Sequence, residues 1–140
     1  MNRTTTIQLK NNLRELERLS QTVDAFGEAN NLSPKILYAL NLSLDEIITN
    51  VIYYGYNDVN EHQIIIRILL KDEELTVEVE DDGKPFNPLE AEKPDLEKPL
   101  EERQVGGLGI HLVTNLMDTL EYKRQGGKNL LIMKKKTRAS

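Results

Sequence analysis

Apolar residues recur along the chain with a helical period in two long stretches. The first stretch, residues 11–30, predicts an amphipathic helix because its apolar positions fall three or four apart. Those positions are Leu13, Leu16, Leu19, Val23 and Phe26. A second helix is predicted from the Ser33-Pro34 pair to about Tyr54, since serine caps helix N-termini and proline suits the first helical turn.

Alternating patterns predict a set of paired strands. The predicted strands are residues 4–9, 62–70, 74–80, 120–125 and 129–135. A third helix is predicted to begin at a glycine cluster over 106–109. Helices followed by paired strands indicate an α+β fold, a two-layer sandwich with helices on one face of a mixed, mostly antiparallel sheet. The length of 140 residues fits a single domain over 1–140.

No periodic pattern is present between residues 84 and 105. Four of the five prolines of the chain fall in this segment, and charges of both signs fill the spaces between them. A loop of this length inside a compact domain is typical of a functional segment such as an active-site lid. We therefore predict a lid over 84–105.

The strand predicted over 74–80 runs into Asp81, Asp82 and Gly83, and its alternation distinguishes the two aspartates. Asp81 continues the apolar face of the strand, whereas Asp82 continues the polar face. A carboxylate on the buried face requires hydrogen-bond donors. The amino group of a ligand is one source of donors, and the backbone amides of the turn are another. Gly83 would allow a neighbour to approach the backbone closely.

Glu46 and Asn50 lie four residues apart on the predicted second helix and therefore share a face. They fall at one edge of its apolar arc, a place that overlooks a cleft beside the core. Glutamate can act as a general base, and an asparagine carbonyl oxygen is a suitable ligand for Mg²⁺. The alternative is a polar boundary pair on an amphipathic helix.

Gly106, Gly107 and Gly109, with Leu108 between them, precede the predicted third helix. The free amides and the dipole of a helix N-terminus attract anions, and glycine allows phosphates to come close. The spacing matches neither the phosphate loop that ends in Gly-Lys-Ser/Thr nor the dinucleotide fingerprint. A flexible hinge into the helix is the alternative interpretation.

Composition narrows the classes of function. The chain has no cysteine, which excludes disulfides, cysteine-ligated zinc and thiol catalysis. Its net charge of −5 argues against nonspecific binding to nucleic acid. No apolar run approaches the ~20 residues that span a bilayer, and no secretory signal is recognisable at the N-terminus. We expect a cytoplasmic protein with no nucleic-acid or membrane partner.

The order of these motifs resembles the GHKL, or Bergerat, ATP-binding superfamily. In that order a helix with Glu-x-x-x-Asn comes first, then a strand with Asp-x-Gly, a long lid, and Gly-x-Gly before a helix. The resemblance covers residues 7 to 135. Two segments, DDGKPFNPLE and GGLGIHLVTNLMD, are similar to the branch of anti-sigma regulatory factors that are serine-protein kinases.

The resemblance implies a role for each candidate residue. Glu46 would be the base, and Asn50 would hold Mg²⁺ at the phosphates of ATP. Asp81 would bind the adenine amino group, with Gly83 beside it. The glycine segment 106–109 would lie at the phosphates.

Two positions depart from the pattern of the branch. Tyr54 stands where the branch often has histidine, and Asn129 or Lys128 stands where it often has threonine or serine. Both departures bear on catalytic efficiency more than on nucleotide binding.

The resemblance also implies partners. It predicts an ATP-dependent protein-serine kinase and anti-sigma-type regulator that acts on a small antagonist protein of the STAS kind, with a sigma factor and a homodimer as further associations. The alternative is an ATP-binding partner-switching module without kinase activity. An isolated histidine-kinase catalytic domain is disfavoured, because no helical hairpin with a phospho-accepting histidine precedes the domain.

Overall fold

The computed structural model describes residues 3–87 and 107–137. Its elements are β1 (Thr4–Lys10), α1 (Glu15–Ala29), α2 (Pro34–Tyr54), β2 (Gln63–Lys71), β3 (Glu74–Asp81), α3 (Gly107–Leu116), β4 (Thr119–Gln125) and β5 (Lys128–Lys136). Each predicted helix and strand therefore has a counterpart in the described part of the chain. Of the predicted lid, the part from residue 88 onward lies outside the described residues.

The five strands form one sheet in the order β1-β2-β3-β5-β4. All four neighbouring pairs are antiparallel. Because β5 inserts between β3 and β4, the end of β3 lies beside a strand from the far end of the chain. The predicted α+β class, with a mostly antiparallel sheet and helices, is confirmed.

One face of the sheet is buried and forms the core with α1 and α2. Alternate residues of β2 and β3 face inward, among them Ile66 and Val77, which are completely buried. Leu19 of α1 and Leu44 of α2 belong to the same apolar cluster. Burial of a side chain of this size contributes roughly 1.5–3 kcal/mol relative to its exposed state, so this cluster fixes the helices on the sheet.

Helix α2 is capped as predicted and ends at a glycine. The Ser33 hydroxyl accepts a hydrogen bond from the amide of Ile36 at 3.2 Å. At the other end, the Gly55 amide donates to the carbonyl of Val51 at 2.8 Å. The carbonyl of Gly55 itself points out of the helix, where it meets the segment that follows β3.

Helix α1 begins at Glu15, four residues later than the periodicity predicted. The amide of Asn11 donates to the His62 carbonyl at 3.1 Å, and this bond keeps the chain beside the start of β2. The helix forms only after this turn. No helix in the described ranges is both long and apolar enough to cross a bilayer.

Candidate functional site

Strand alternation places Asp81 and Asp82 in opposite environments, as predicted. Asp81 is only 6% exposed and lies on the core face with the apolar residues of β3. Asp82, one residue later, is exposed. The sheet thus aims one carboxylate inward at its edge and leaves the other in solvent.

The Asp81 carboxylate is held through one of its two oxygens. Oδ1 accepts hydrogen bonds from the Gly83 amide at 2.9 Å and from Asn129 Nδ2 at 3.0 Å. Burial raises the pKa of Asp81, and the bonds from Asn129 and Gly83 act against that increase. Asp81 therefore does cap its turn, but only with Oδ1. Among the described residues no hydrogen bond to Oδ2 is present, so Oδ2 is the atom that could accept one from a ligand.

Asn129, in β5, connects Asp81 to the chain that leaves β3. It lies directly opposite Asp81 in the β3–β5 pairing and is 5% exposed. Its Nδ2 also donates to the carbonyl of Lys84 at 2.8 Å. Its Oδ1 accepts from the Tyr122 hydroxyl and from the Phe86 amide, the latter at 3.4 Å. All the hydrogen-bonding capacity of the Asn129 amide is thus used.

Gly83 is buried where the chain passes over the end of α2. A Cβ on Gly83 would come closer than 3.0 Å to the carbonyl oxygen of Gly55. The amide of Lys84 donates to the same oxygen at 2.8 Å, and Arg124 Nη1 donates to the Gly83 carbonyl at 2.8 Å. The close neighbour of Gly83 is therefore the carbonyl of Gly55, the residue that follows α2, and a role for Gly83 at a ligand stays a prediction.

Asn50 lies in a narrow pocket between α2 and the sheet, close to Asn129. The cavity has a volume of about 20 Å³, room for about one water molecule. Its lining residues are Ile47, Asn50, Val51, Val79, Phe86, Tyr122, Asn129 and Leu131. Its walls are mostly apolar and include two buried amides, those of Asn50 and Asn129. Two of the predicted site residues, Asn50 and Asp81, thus lie close to Asn129, one beside it in the pocket wall and one bonded to it.

Glu46 is less buried than Asn50 and is not part of this pocket lining. The two residues are connected through the main chain, because Asn50 Nδ2 donates to the Glu46 carbonyl at 2.6 Å. That bond occupies the amide nitrogen of Asn50 and fixes the orientation of the amide group. The oxygen is the end of the amide that suits a cation, while the Glu46 carboxylate remains at the border between core and solvent.

The glycine segment opens helix α3, as predicted. The helix begins at Gly107, and Leu108 and Gly109 are in its first turn. Gly106 lies outside the described residues. Helix α3 packs against α2, the helix that carries Glu46 and Asn50.

A small charged cluster borders Asp81 on the outside. His62 Nε2 lies 2.8 Å from Asp58 Oδ1, and its Nδ1 lies 3.2 Å from Asp82 Oδ1. The hydrogen bond with Asp58 is the main cause of the raised pKa of His62. The His62 ring also stacks on Tyr56 with centroids 4.2 Å apart. This cluster ties the α2–β2 connection to the exit of β3.

Sequence reasoning named Asn129 only as a departure from a family pattern, and it did not foresee the contact of Gly83 with Gly55. Both contacts join segments far apart in the chain, 48 residues in the case of Asn129 and Asp81. The buried position of Asn129 on an otherwise apolar strand face was the available signal, since a buried amide requires partners.

Comparisons with known proteins show the family of the chain. The family model of the histidine kinase-like ATPase domain matches residues 9–135. A serine/threonine-protein kinase, BtrW of Bordetella bronchiseptica, is 27% identical over 101 residues, which cover 72% of this chain and 71% of that protein. The anti-sigma F factor of Clostridium acetobutylicum is 31% identical over 125 residues, which cover 82% of this chain and 80% of that protein.

A solved structure shares the fold. The RsbU and RsbW domains of Rv1364c from Mycobacterium tuberculosis match with a TM-score of 0.70 at 12% sequence identity. The match covers 96% of this chain and 32% of that longer one. The chain belongs to the histidine kinase-like ATPase (GHKL) domain family, in the branch of anti-sigma factors and RsbW-type serine-protein kinases.

Proposed function

We propose that this protein is an ATP-dependent protein-serine kinase that acts as an anti-sigma-type regulator in partner switching. The observation that carries the proposal is the buried Asp81 carboxylate, whose Oδ1 accepts from Asn129 and Gly83 while no described residue donates to Oδ2. The adenine amino group is a donor that such an oxygen can accept, whereas guanine presents a carbonyl at the corresponding position. The family membership of the chain supports the same assignment.

Asn50 is the residue that would hold Mg²⁺. The described residues contain no group of three or more His, Cys, Asp or Glu side chains that could hold a metal ion by themselves. Mg²⁺ usually keeps several waters and binds substrate phosphates, so it does not need such a group. Asn50 contributes a buried amide whose nitrogen is already bonded, so its oxygen is the natural ligand. When bound, the ion supplies positive charge that stabilises the phosphates.

The remaining roles fall to residues at the border of the pocket. Glu46 would orient or deprotonate the serine hydroxyl of the substrate protein, a task that suits its half-exposed position better than complete burial does. The amides at the start of α3, in the glycine segment 106–109, would face the phosphates, because a helix N-terminus favours anions. Catalysis of phosphoryl transfer would then rest mainly on positioning and electrostatic stabilisation.

The protein substrate would be a small antagonist of the STAS class, with a sigma factor as the alternative partner. Relatives that carry the names anti-sigma F factor and serine-protein kinase RsbW support this pairing. A cytoplasmic location and a homodimer are part of the proposal.

One observation favours a second candidate, an ATP-binding partner-switching module without kinase activity. Glu46 does not line the pocket that contains Asn50, so nucleotide binding could persist without an aligned base. Incubation with γ-labelled ATP and candidate antagonists from the same gene neighbourhood tests both. Label on a serine of the partner supports the kinase. Nucleotide-dependent binding without label supports the module, and the absence of any ATP binding contradicts both.

A further inference from the structure

The side chain of Asn129 contacts two parts of the candidate site at once. Through Nδ2 it donates to Asp81 Oδ1 at 3.0 Å and to the Lys84 carbonyl at 2.8 Å. Through Oδ1 it accepts from Tyr122 and Phe86. Because all four bonds are made within the protein, Asn129 has no donor left with which to bind a nucleotide directly.

We propose that Asn129 is a positioning residue that favours the ionised form of the Asp81 carboxylate, fixes its orientation, and anchors the segment from Lys84 to Phe86 beside the pocket that Phe86 lines. The inference rests on the proposed nucleotide site for its consequence in binding. The physical basis of the proposal is a hydrogen bond between two buried side chains of the protein, and that bond does not depend on a nucleotide.

The charge of Asp81 depends on its donors. Burial in the core disfavours the ionised form, and hydrogen bonds to the ionised form favour it. Only two described groups donate to this carboxylate, the Gly83 amide and Asn129 Nδ2. The Gly83 amide belongs to the turn and remains in any side-chain variant, so Asn129 is the donor that substitution can remove.

The geometry also assigns the two oxygens of Asp81 to different tasks. Both described donors approach Oδ1, and no described residue donates to Oδ2. Nδ2 of Asn129 donates one hydrogen bond to Asp81 and one to Lys84. A single side chain therefore holds both the carboxylate and the segment that follows β3. A shift of the Asn129 amide would therefore displace both the Asp81 carboxylate and Phe86, which lines the pocket.

Charged groups around Asp81 come from several elements. Asp82 follows it in the chain and acts to raise its pKa, whereas Arg124 of β4 acts to lower it. His62, just before β2, bonds to Asp82 rather than to Asp81. None of these groups replaces the direct donation from Asn129.

The first test uses the nucleotide-free protein. Carboxyl ¹³C NMR titration of Asp81, assigned with Asp81→Asn, is compared in wild type and Asn129→Ala. We expect the Asp81 midpoint to move upward by about one pH unit in Asn129→Ala, the smaller end of the change that loss of a favourable partner produces. Tyr122→Phe is the matched control, because it removes a bond to Asn129 Oδ1 but leaves both hydrogen bonds donated by Nδ2. The Asp81 midpoint should stay in place in this variant.

The second test adds ADP and measures the dissociation constant between pH 4.5 and 8. In Asn129→Ala, the pH below which ADP affinity falls should increase together with the Asp81 midpoint. A merely structural role would weaken affinity equally at every pH. If Asn129→Ala does not fold, Asn129→Leu fills the space without a polar group and carries the same expectation.

An unchanged Asp81 midpoint in a folded Asn129 variant overturns the proposal, whatever the effect of the substitution on ADP binding. A shifted midpoint in a protein that binds no ADP supports the positioning role and contradicts the proposed function instead. If the Asp81 midpoint moves but the pH dependence of ADP affinity does not, the proposed link between Asn129 and ligand binding is overturned.

Discussion

The main chain of Gly83 lies directly against the carbonyl oxygen of Gly55, with no room for a Cβ between the two glycines. Gly83→Ala must therefore push the β3 exit away from the end of α2. We expect a loss of about 1–3 kcal/mol in the free energy of unfolding, the usual effect of overpacking. Urea denaturation measures the loss.

Gln125→Ala, at an exposed position on the neighbouring hairpin, is the control and should change stability by less than about 0.5 kcal/mol. The same Cβ would also lie 3.0 Å from Asp81 Oδ1, so Gly83→Ala should weaken ADP binding as well. Equal stabilities of Gly83→Ala and wild type would mean that the two segments separate freely, contrary to the packing described here.

Local rules were sufficient to predict most of this fold. The Ser33-Pro34 start of α2 follows from capping chemistry, and the alternation of β3 correctly separated buried Asp81 from exposed Asp82. The start of α1 could not be predicted as well, because a bond between Asn11 and His62 delays the helix. Such a bond joins residues 51 apart, and no local pattern encodes it.

The composition of the site depends on strand order, which the sequence alone does not specify. Asn129 reaches Asp81 only because β5 lies beside β3 in the sheet. A sheet that followed chain order would place β4 there instead. Motifs therefore predicted Asp81 and Asn50 as site residues but not Asn129, which bonds to Asp81 and lines the same pocket as Asn50.

Asp81 provides the test of nucleotide selectivity. ADP and Mg²⁺-ATP should stabilise the wild type by about 2.7 kcal/mol at ~100-fold excess over the dissociation constant, with guanine nucleotides much less effective. Asp81→Asn should lose most of this gain, because Gly83 and Asn129 would hold its amide oxygen at the Oδ1 position and leave a donor NH₂ group in place of Oδ2. Ligand-induced melting shifts measure both effects.

The matched control for this prediction is Asp82→Asn. It neutralises the adjacent, exposed carboxylate and should retain the nucleotide shift. The quantity to compare is the nucleotide-induced melting shift of each variant and not its melting temperature. Asp82 also bonds His62, so the substitution affects the melting temperature itself. Loss of the shift in Asp82→Asn and its retention in Asp81→Asn would show that the wrong aspartate had been assigned to adenine.

The His62 cluster gives stability a pH dependence of definite sign. Hydrogen bonds to Asp58 and Asp82 raise the pKa of His62 in the folded protein. Protonated His62 therefore stabilises the fold fully below its unfolded pKa of about 6.5, and this contribution is lost as the pH rises through the raised value. Asp58→Asn should lower the pKa of His62, as followed by ring-proton NMR.

Chemical denaturation should show the same effect in the free energy of unfolding. Asp58→Asn should be less stable than wild type at pH 6, and the difference should shrink by pH 9. Asp72→Asn, at a turn position with φ of 52° that asparagine tolerates, is the control. A constant difference between Asp58→Asn and wild type across this range would exclude the ionised pair as its cause.

Ser43 is a buried polar residue with no compensation in the described structure. It is completely buried in α2, and its hydroxyl has no hydrogen-bond partner among the described residues. An unsatisfied buried hydroxyl costs about 1–3 kcal/mol, and Ser43→Ala removes it with little change of volume. We expect Ser43→Ala to be as stable as wild type or up to about 2 kcal/mol more stable, as urea denaturation would show. A clear loss of stability would indicate a partner for Ser43.

Glu46 and Asn50 share one helix but have different proposed tasks, and their variants should separate binding from chemistry. Asn50 lies in the pocket and would bind Mg²⁺ through its amide oxygen. Asn50→Ala should therefore weaken Mg²⁺-dependent ATP binding and phosphoryl transfer together. Glu46→Gln retains the shape of the side chain, and its main-chain carbonyl can still accept the bond from Asn50. ATP affinity should consequently survive in Glu46→Gln.

Transfer to a partner serine should fall by about 10²–10⁴-fold in Glu46→Gln, the usual contribution of a general base. Single-turnover assays with labelled ATP measure the transfer, and calorimetry with ATP and Mg²⁺ measures the binding. If Glu46→Gln transfers phosphate as fast as wild type, Glu46 is not the base. If wild type binds ATP and a partner but transfers nothing, the module without kinase activity is the better description. Glu46 would then be a boundary residue of α2, and of these two variants only Asn50→Ala should weaken the complex, because Asn50 is the one proposed to bind the Mg²⁺ that accompanies ATP.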